Sequence, residues 1–372
     1  MTALKNYFIL ILLAFLFTQT SCKKEKVEPP VKNESYDEEH DYEGLSEMEK
    51  LGKKIFFDRN LSSPAGQSCS SCHNISNGFT DPSGQAFSHG AINYLKGSRS
   101  APSIAYMRYS PSLYYNTFDS TYMGGLFWDG RVNSLEAQAV KPLLNPIEMN
   151  NANITQIVNK LHSAEYKNMF EQIYGGSVFE DTTVAIQFAA SAIAAYERSF
   201  QVNRFSSKYD LYLKGEVELS AQELNGLNVF MDTLKGKCNN CHPATTDNLY
   251  GLALFTDFSY DNIGVPHNPA SPNSSPDLGL GAFLNTAAFN GQFKVPTLRN
   301  VAISAPYFHN GYFSTLEEVV RFYSDRDSVG LFPAPEVNQN VNKDELGKLH
   351  LKPQDVSDLV AFLKTLTDGY KK

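Results

Sequence analysis

The sequence lacks an excess of positive charge, and its N-terminal apolar run is short. The 372 residues carry a formal net charge of −8, which argues against nucleic acid or an anionic membrane as a partner. The apolar run, residues 7–17, falls short of the roughly 20 residues that a membrane-spanning helix needs. With 42% hydrophobic and 19% charged residues, the composition is that of a soluble globular protein.

The N-terminus is predicted to be a targeting segment that should be left out of the fold. Small residues before the lone Cys22 resemble the lipobox of bacterial lipoproteins, although Gln19 stands where leucine is usual. We therefore interpret residues 1–22 as a lipoprotein-type signal ending at Cys22, and the charged, proline-containing residues 23–42 as a disordered tether. The alternative is an ordinary secretory signal. Either way we expect export, and with lipidation a periplasmic protein anchored to the membrane through Cys22.

Cysteine is also scarce, with five residues in the chain. Four of them form two copies of one motif, Cys69-Ser-Ser-Cys72-His73 and Cys238-Asn-Asn-Cys241-His242. Cys-x-x-Cys-His is the attachment sequence for c-type haem, in which the thiols bond the porphyrin and the histidine ligates the iron. Two local disulfides or one zinc site are the alternatives. Zinc normally needs four clustered ligands, and disulfides leave the histidines unexplained, so we predict two covalently bound haem c groups.

The residues before each motif are duplicated. The two copies are Leu45-Ser46-x-x-Glu49-x-x-Gly52-x-x-x-Phe56 and Leu219-Ser220-x-x-Glu223-x-x-Gly226-x-x-x-Phe230. Serine followed three residues later by glutamate is a capping box that begins a helix, and apolar residues follow at helical spacing. Each half thus begins with a helix, a turn and Cys-x-x-Cys-His, which is the start of a class I cytochrome c domain.

Each half also ends with a predicted amphipathic helix, residues 184–200 in the first half and a helix from Pro353 in the second. Strand patterns are few, and long stretches rich in glycine, proline and asparagine, such as residues 260–285, are typical of loops that wrap the haem edges. We predict a mainly α fold of two class I cytochrome c-like haem domains with long haem-wrapping loops. The N-terminal haem domain would span residues 43–213 and the C-terminal haem domain residues 214–372.

From residue 43 onward the chain resembles the bacterial di-haem cytochrome c peroxidase and MauG superfamily. Besides both haem motifs, the segments that carry the resemblance, in the family's order, are Phe127-Trp128-Asp129-Gly130-Arg131, Asn145-Pro146-Ile147-Glu148-Met149, Pro296-Thr297-Leu298-Arg299-Asn300-Val301 and Ala305-Pro306-Tyr307-Phe308-His309-Asn310-Gly311. The resemblance implies an enzyme that reduces hydrogen peroxide with electrons from a small periplasmic redox protein, a cytochrome c or a cupredoxin. It also allows a homodimer.

The resemblance implies three catalytic residues. Trp128, the only tryptophan, would lie between the haems and relay electrons, although a place in the core is the usual fate of a tryptophan. Glu148 would be the acid/base, because breaking the O–O bond of peroxide needs a proton moved from the inner to the departing oxygen. Gln138 would help to hold the distal water and the peroxide. Without the resemblance, Glu148 would be interpreted as a surface carboxylate.

The sixth ligand of the second haem departs from the peroxidase pattern. Peroxidases of the family use a methionine at a fixed spacing after the Tyr-Phe-His-x-Gly histidine; here that position is Tyr323, and no methionine follows Met231. MauG has a ligating tyrosine there, and a phenolate donates more charge to iron than a thioether. The resemblance therefore implies Tyr323 as ligand. The alternatives are a core tyrosine or ligation by His267, His309 or His350.

Two further ligand assignments stay open. His89 has the spacing of the distal histidine of many peroxidases, but its Ser88-His89-Gly90 context is not the usual one, and the alternative is a five-coordinate first haem, as in MauG. The resemblance also implies a calcium ion between the haems. Its ligands would map to Ser100, Ser304 and Pro306, largely through carbonyl oxygens, which suit a hard cation.

Two other functions compete with the peroxidase. A MauG-like enzyme would use peroxide to oxidise a partner protein, and Tyr323 favours it. However, Gly236 stands where MauG has the surface tryptophan through which that oxidation passes. A non-catalytic di-haem electron carrier would need both irons six-coordinate, and it would leave Glu148 without a purpose.

Overall fold

The computed structural model describes residues 41–372, whose regular secondary structure is mainly helical. The predicted signal segment, Cys22 and all but the last two residues of the predicted tether lie outside the described residues. Within the part described, none of the helices is both long and apolar enough to span a membrane.

The helices and strands of residues 41–372 are joined by long loops. The helices are α1 (Glu47–Phe57), α2 (Leu135–Leu144), α3 (Ile154–Ser163), α4 (Lys167–Tyr174), α5 (Thr182–Arg198), α6 (Lys208–Leu213), α7 (Ala221–Met231), α8 (Leu280–Leu284), α9 (Leu316–Asp325) and α10 (Pro353–Lys364). The strands are β1 (Tyr114–Asn116), β2 (Thr121–Met123), β3 (Tyr260–Asp261) and β4 (Phe293–Lys294). Strands β1 and β2 pair antiparallel with Tyr114 opposite Met123, and β3 and β4 with Tyr260 opposite Lys294.

The duplicated capping boxes are confirmed. The backbone N–H of Ser46 donates to Glu49 Oε2 over 2.8 Å, and the Glu49 N–H donates back to Ser46 Oγ over 3.3 Å. Ser220 and Glu223 repeat the pair at 2.7 and 3.3 Å. Both boxes satisfy N–H groups that would otherwise lack a partner in the first helical turn.

In each half, the helix that precedes the Cys-x-x-Cys-His motif crosses a later helix at a glycine. Helix α1 packs against α5, and α7 packs against α10. A Cβ on Gly52 would collide with the carbonyl oxygen of Ala192, and a Cβ on Gly226 would collide with that of Asp358. Only glycine permits such close approach of two backbones, so the duplicated glycines fix the same crossing in both halves.

The buried side chains form two main hydrophobic cores. One core is built from residues 51–202 and the other from residues 209–366. Tyr209 of α6 belongs to the second core, and its hydroxyl donates to the carbonyl of Ala244 over 3.0 Å. The division into haem domains at residues 213 and 214 stays a prediction. The predicted loop 260–285 holds strand β3 and helix α8.

Candidate active site

A single large cavity extends from one Cys-x-x-Cys-His motif to the other. Its volume is about 1070 Å³, slightly above the usual range for a site that holds one drug-sized ligand. All four motif cysteines and both motif histidines line it. So do the other predicted site residues Trp128, Gln138, Glu148, Tyr323, His89, Ser100, Ser304 and Pro306. The sequence-based candidates therefore converge on one site.

The two motifs adopt the same local structure. Cys69–Ser71 and Cys238–Asn240 each form a short helical turn, and the N–H of the motif histidine donates to the first cysteine's carbonyl, over 3.0 Å in His73 and 2.9 Å in His242. All four thiols are free, so the structure does not support the disulfide alternative. Among residues 41–372, no three His, Cys, Asp or Glu side chains are grouped to hold a metal ion.

Each motif histidine is held by a backbone carbonyl at Nδ1. His73 Nδ1 lies 3.1 Å from the carbonyl oxygen of Phe79, and His242 Nδ1 lies 2.9 Å from that of Phe255. A carbonyl only accepts, so Nδ1 carries the hydrogen and Nε2 keeps its lone pair for a metal. Burial lowers the pKa of both imidazoles, that of His242 to about 4. The neutral ring that results fits a haem iron.

The residues that hold these histidines share a strained backbone. Phe79 and Phe255 have φ values of 61° and 53°, a left-handed conformation that is rare for bulky residues. Such strain costs roughly 1–3 kcal/mol and persists where the surrounding structure requires it. Here the strained residue in each half is the one whose carbonyl oxygen accepts the hydrogen bond of the histidine. Sequence reasoning missed both phenylalanines, because positive φ leaves no residue-type signal at a Phe.

Trp128 is partly buried and is held by its indole N–H. That group donates to the carbonyl oxygen of Ser100 over 2.8 Å, and the carbonyl of Trp128 accepts from the backbone N–H of Lys294 over 2.9 Å. The adjacent Asp129 carboxylate is buried and pairs with Arg99 at 2.6 Å and with Arg131 at 2.7 Å. The indole is therefore fixed in orientation on one wall of the cavity.

Gln138 and Glu148 come from helix α2 and the turn after it. Glu148 Oε1 accepts a hydrogen bond from Asn145 Nδ2 over 2.8 Å. Burial raises the pKa of Glu148, while the charge of Arg131 and the bond from Asn145 oppose the shift. A carboxyl with a raised pKa can take up and return a proton nearer neutral pH. It lines the cavity together with Cys69 and Cys72, and its charge raises the pKa of both thiols.

Tyr323 of helix α9 lines the cavity on the side of the second motif. Its hydroxyl has no hydrogen-bond partner among residues 41–372. Burial raises the pKa of Tyr323, and the neighbouring Cys241 adds to the increase. A cation would supply the charge needed to stabilise the phenolate form. The phenol is thus available to a metal, and no protein group competes for it within these residues.

The rival ligands of the second haem are engaged elsewhere. His267 Nδ1 pairs with Glu336 Oε1 at 2.9 Å, and His309 Nε2 lies 3.3 Å from the other oxygen of the same carboxylate. His350 faces Asp325 at 3.5 Å, with 69% of its side chain exposed. Of these three, His309 alone lines the cavity. Their positions leave Tyr323 as the better-placed candidate.

His89 and two of the predicted calcium ligands form hydrogen bonds with other protein groups. His89 bonds the carbonyl of Asn93 through Nδ1, so its Nε2 is the nitrogen that could face a metal. Gln67 donates to the carbonyl of His89 over 2.9 Å and to Cys72 Sγ over 3.3 Å, so the loop lies against the first motif. Of the predicted calcium ligands, Ser100 gives its carbonyl to Trp128, and Ser304 Oγ donates to the carbonyl of Val301 over 3.2 Å.

Two buried charged residues of the cavity escaped sequence reasoning. Lys294 is buried, donates to the carbonyl of Gly125 over 2.7 Å, and has a pKa lowered by burial to about 7. Glu197 is buried at the end of helix α5. Each follows or interrupts an apolar run, at Phe293–Val295 and at Ala192–Tyr196. A charge set directly against apolar residues is the signal that could have found them.

Comparison with known proteins agrees with this geometry. A family model described as di-haem cytochrome c peroxidase matches residues 46–218. Methylamine utilization protein MauG of Paracoccus denitrificans is 36% identical over 346 residues, which cover 86% of this chain and 88% of MauG. The chain belongs to the di-haem cytochrome c peroxidase and MauG family. It is therefore an oxidoreductase that acts on hydrogen peroxide, and family membership implies two haem c groups.

Other relatives cover a similar share of the chain. Cytochrome c551 peroxidase of Nitrosomonas europaea is 33% identical over 330 residues, which span 87% of this chain and 80% of that enzyme. The crystal structure of the di-haem peroxidase BthA from Burkholderia thailandensis matches with a TM-score of 0.77 at 34% identity, covering 87% of this chain and 86% of BthA. Matches of this length include both haem motifs, so the similarity extends to both ends of the cavity.

Proposed function

We propose that this family member is a periplasmic di-haem c peroxidase that reduces hydrogen peroxide with electrons from a small redox protein, a cytochrome c or a cupredoxin. The observation that carries the proposal is Glu148, a largely buried carboxyl with a raised pKa beside the first Cys-x-x-Cys-His motif. Cleavage of peroxide requires a group that can take up and deliver a proton at this position.

The chain's own residues divide the work between two haem positions. Cys69 and Cys72 would hold the first haem, and His73 Nε2 would ligate it. Cys238 and Cys241 would hold the second, and His242 Nε2 and the phenolate oxygen of Tyr323 would be its iron ligands. When bound, haem supplies a redox-active iron that can bind peroxide or pass electrons.

The protein groups then handle the proton and the orientation of peroxide. Glu148 would accept one proton of hydrogen peroxide and deliver it to the oxygen that leaves as water. The other oxygen would become a second water with two electrons from the redox protein and two protons from solvent. The Gln138 amide holds the peroxide, and Asn145 keeps the Glu148 carboxyl in place. Trp128 couples the two haem positions through its fixed indole. We also propose a calcium ion near Ser100, Ser304 and Pro306, and anchoring through Cys22.

A MauG-like oxidation of a partner protein is the second candidate. The 36% identity to MauG and the position of Tyr323 in the cavity favour it. Against it, a Cβ on Gly236 would collide with the carbonyl oxygen of Val229. This backbone therefore excludes any side chain at the position where MauG has the surface tryptophan through which the oxidation passes. The peroxidase is the better-supported function.

The test is peroxide turnover by Glu148→Gln, with haem content measured in the same samples. We expect a loss of about 10²- to 10⁴-fold, the usual contribution of a general acid/base. The matched control is Glu136→Gln, at the start of helix α2 and paired with Arg198, and it should keep its activity. Full turnover by Glu148→Gln with both haems bound would contradict the assignment.

A further inference from the structure

A second buried carboxyl borders the first haem motif and has no part in the scheme above. Glu197 is 4% exposed and lines the cavity. Its Oε2 atom is buried and finds no hydrogen-bond partner among residues 41–372. Its charge is the largest electrostatic influence on the Cys69 thiol after burial itself. An unpartnered carboxyl in an apolar wall is costly, so its presence calls for a reason.

The internal duplication shows what this position carries in the other half. Gly52 meets Ala192 and Tyr196 across the first helix crossing, and Gly226 meets Asp358 and Phe362 across the second. By these contacts, Tyr196 in the first half is equivalent to Phe362 in the second. The next residues along the two helices, Glu197 and Leu363, are therefore equivalent as well. Leu363 is also buried and lines the cavity. The second half thus closes its haem pocket with leucine where the first half places an acid.

Burial, rather than the neighbouring charges, is the main influence on the pKa of Glu197. Arg198 lowers its pKa and Glu136 raises it, but these two form their own ion pair at 2.6 Å. On the other neighbouring elements, Lys53 of α1 donates to Gln201 Oε1 over 2.9 Å, and Arg108 donates to the carbonyl of Arg198. Burial dominates and raises the pKa of Glu197 to about 8, which favours the protonated carboxyl.

We propose that Glu197 is a redox-linked proton-accepting site of the first haem pocket. It releases one proton to water when the haem on Cys69 gives one electron to a redox partner, and it takes one proton back when that electron returns. The physical reason is that oxidation adds one positive charge to a site of low dielectric constant, where a carboxylate compensates it strongly. The inference rests on the proposed attachment of haem to Cys69 and Cys72.

The test is the midpoint potential of each haem in the holoprotein as a function of pH. In the wild type, the first-haem potential should fall with rising pH over part of the range, by up to about 59 mV per tenfold change in proton activity for a one-electron step. Glu197→Gln should lose this dependence and lie above the wild type at high pH, because it cannot become negative. The second haem should not change, and Glu136→Gln should keep a pH-dependent first-haem potential.

Glu197→Leu introduces the side chain that the second half has at the equivalent position. This independent variant should also lose the pH dependence of the first-haem potential. Equal pH profiles in wild type and both variants would overturn the proposal. If neither variant takes up haem, redox-difference infrared spectra of the wild type decide: oxidation should remove a protonated-carboxyl band that shifts with isotope-labelled glutamate and persists in Glu148→Gln. A missing band would overturn the inference. Wild-type protein without Soret absorption would instead contradict the proposed function.

Discussion

The indole N–H of Trp128 donates to the carbonyl oxygen of Ser100 over 2.8 Å. In Trp128→Phe the aromatic ring stays, but the N–H is lost and the ring is harder to oxidise. We expect both haems to be retained and peroxide turnover with an external electron donor to fall at least about tenfold, a barrier increase of about 1.4 kcal/mol. Stopped-flow measurement of electron transfer between the haems is the direct check. Tyr115→Phe, on the partly exposed hairpin outside the cavity, is the control, and equal rates in all three proteins would exclude the relay.

The ligand assignment of the second haem predicts an increase in its potential on substitution of Tyr323. A phenolate stabilises ferric iron, whereas a thioether favours the ferrous state, so both Tyr323→Phe and Tyr323→Met should raise the midpoint potential. The Met variant should also show a changed absorption spectrum. Tyr312→Phe, whose ring does not line the cavity, should change neither property. An unaltered second-haem potential in Tyr323→Phe would rule the ligand out.

The pH profile of peroxide turnover should report on Glu148. The carboxylate must be ionised to accept the peroxide proton, and burial raises its pKa, so activity should rise with pH through a value above that of an ordinary glutamate. Asn145→Asp keeps the acceptor oxygen that caps the Ile147 N–H, but it replaces a donor to Glu148 with a negative charge. This variant should move the acid limb to higher pH. An unshifted limb would mean that another group controls it.

The two helix crossings predict that replacing the glycine with alanine lowers the stability of the protein in either half. Gly52→Ala and Gly226→Ala would each force a Cβ into a carbonyl oxygen of the facing helix, and overpacking of this kind lowers the free energy of unfolding by about 1–3 kcal/mol. Denaturant unfolding measures the change. Gly176→Ala is the control, because nothing lies within 4 Å of its added Cβ, and it should be neutral.

Local sequence signals predicted the elements that repeat, and they failed where burial depends on distant parts of the chain. Ser46 and Glu49 lie three residues apart, so their capping box is visible in the sequence and in the structure alike. The engagement of His309 by Glu336 joins residues from separate loops. No local pattern encodes that pairing, and the same holds for the burial of Glu197, which depends on where α5 meets the cavity.

The Arg299 and Asp210 side chains form a buried ion pair that links the Pro-Thr-Leu-Arg-Asn segment to helix α6. Their atoms lie 2.9 and 2.7 Å apart in a two-pronged contact, and the pairing holds the pKa of Asp210 below its ordinary value. Removing one partner of a buried pair strands the other charge, so Asp210→Asn should lower the free energy of unfolding by about 3–5 kcal/mol.

The same pair predicts a pH dependence of stability. Because the folded pKa of Asp210 is depressed, the stabilisation is present above the unfolded pKa and is lost as the pH falls through the folded value. The wild type should therefore lose more stability than Asp210→Asn in acid, and the two unfolding curves should converge there. Glu317→Gln, which breaks the exposed ion pair with Arg321, should change stability by no more than about 0.5 kcal/mol. A comparably small effect in Asp210→Asn would show that the buried pair does not hold α6 in place.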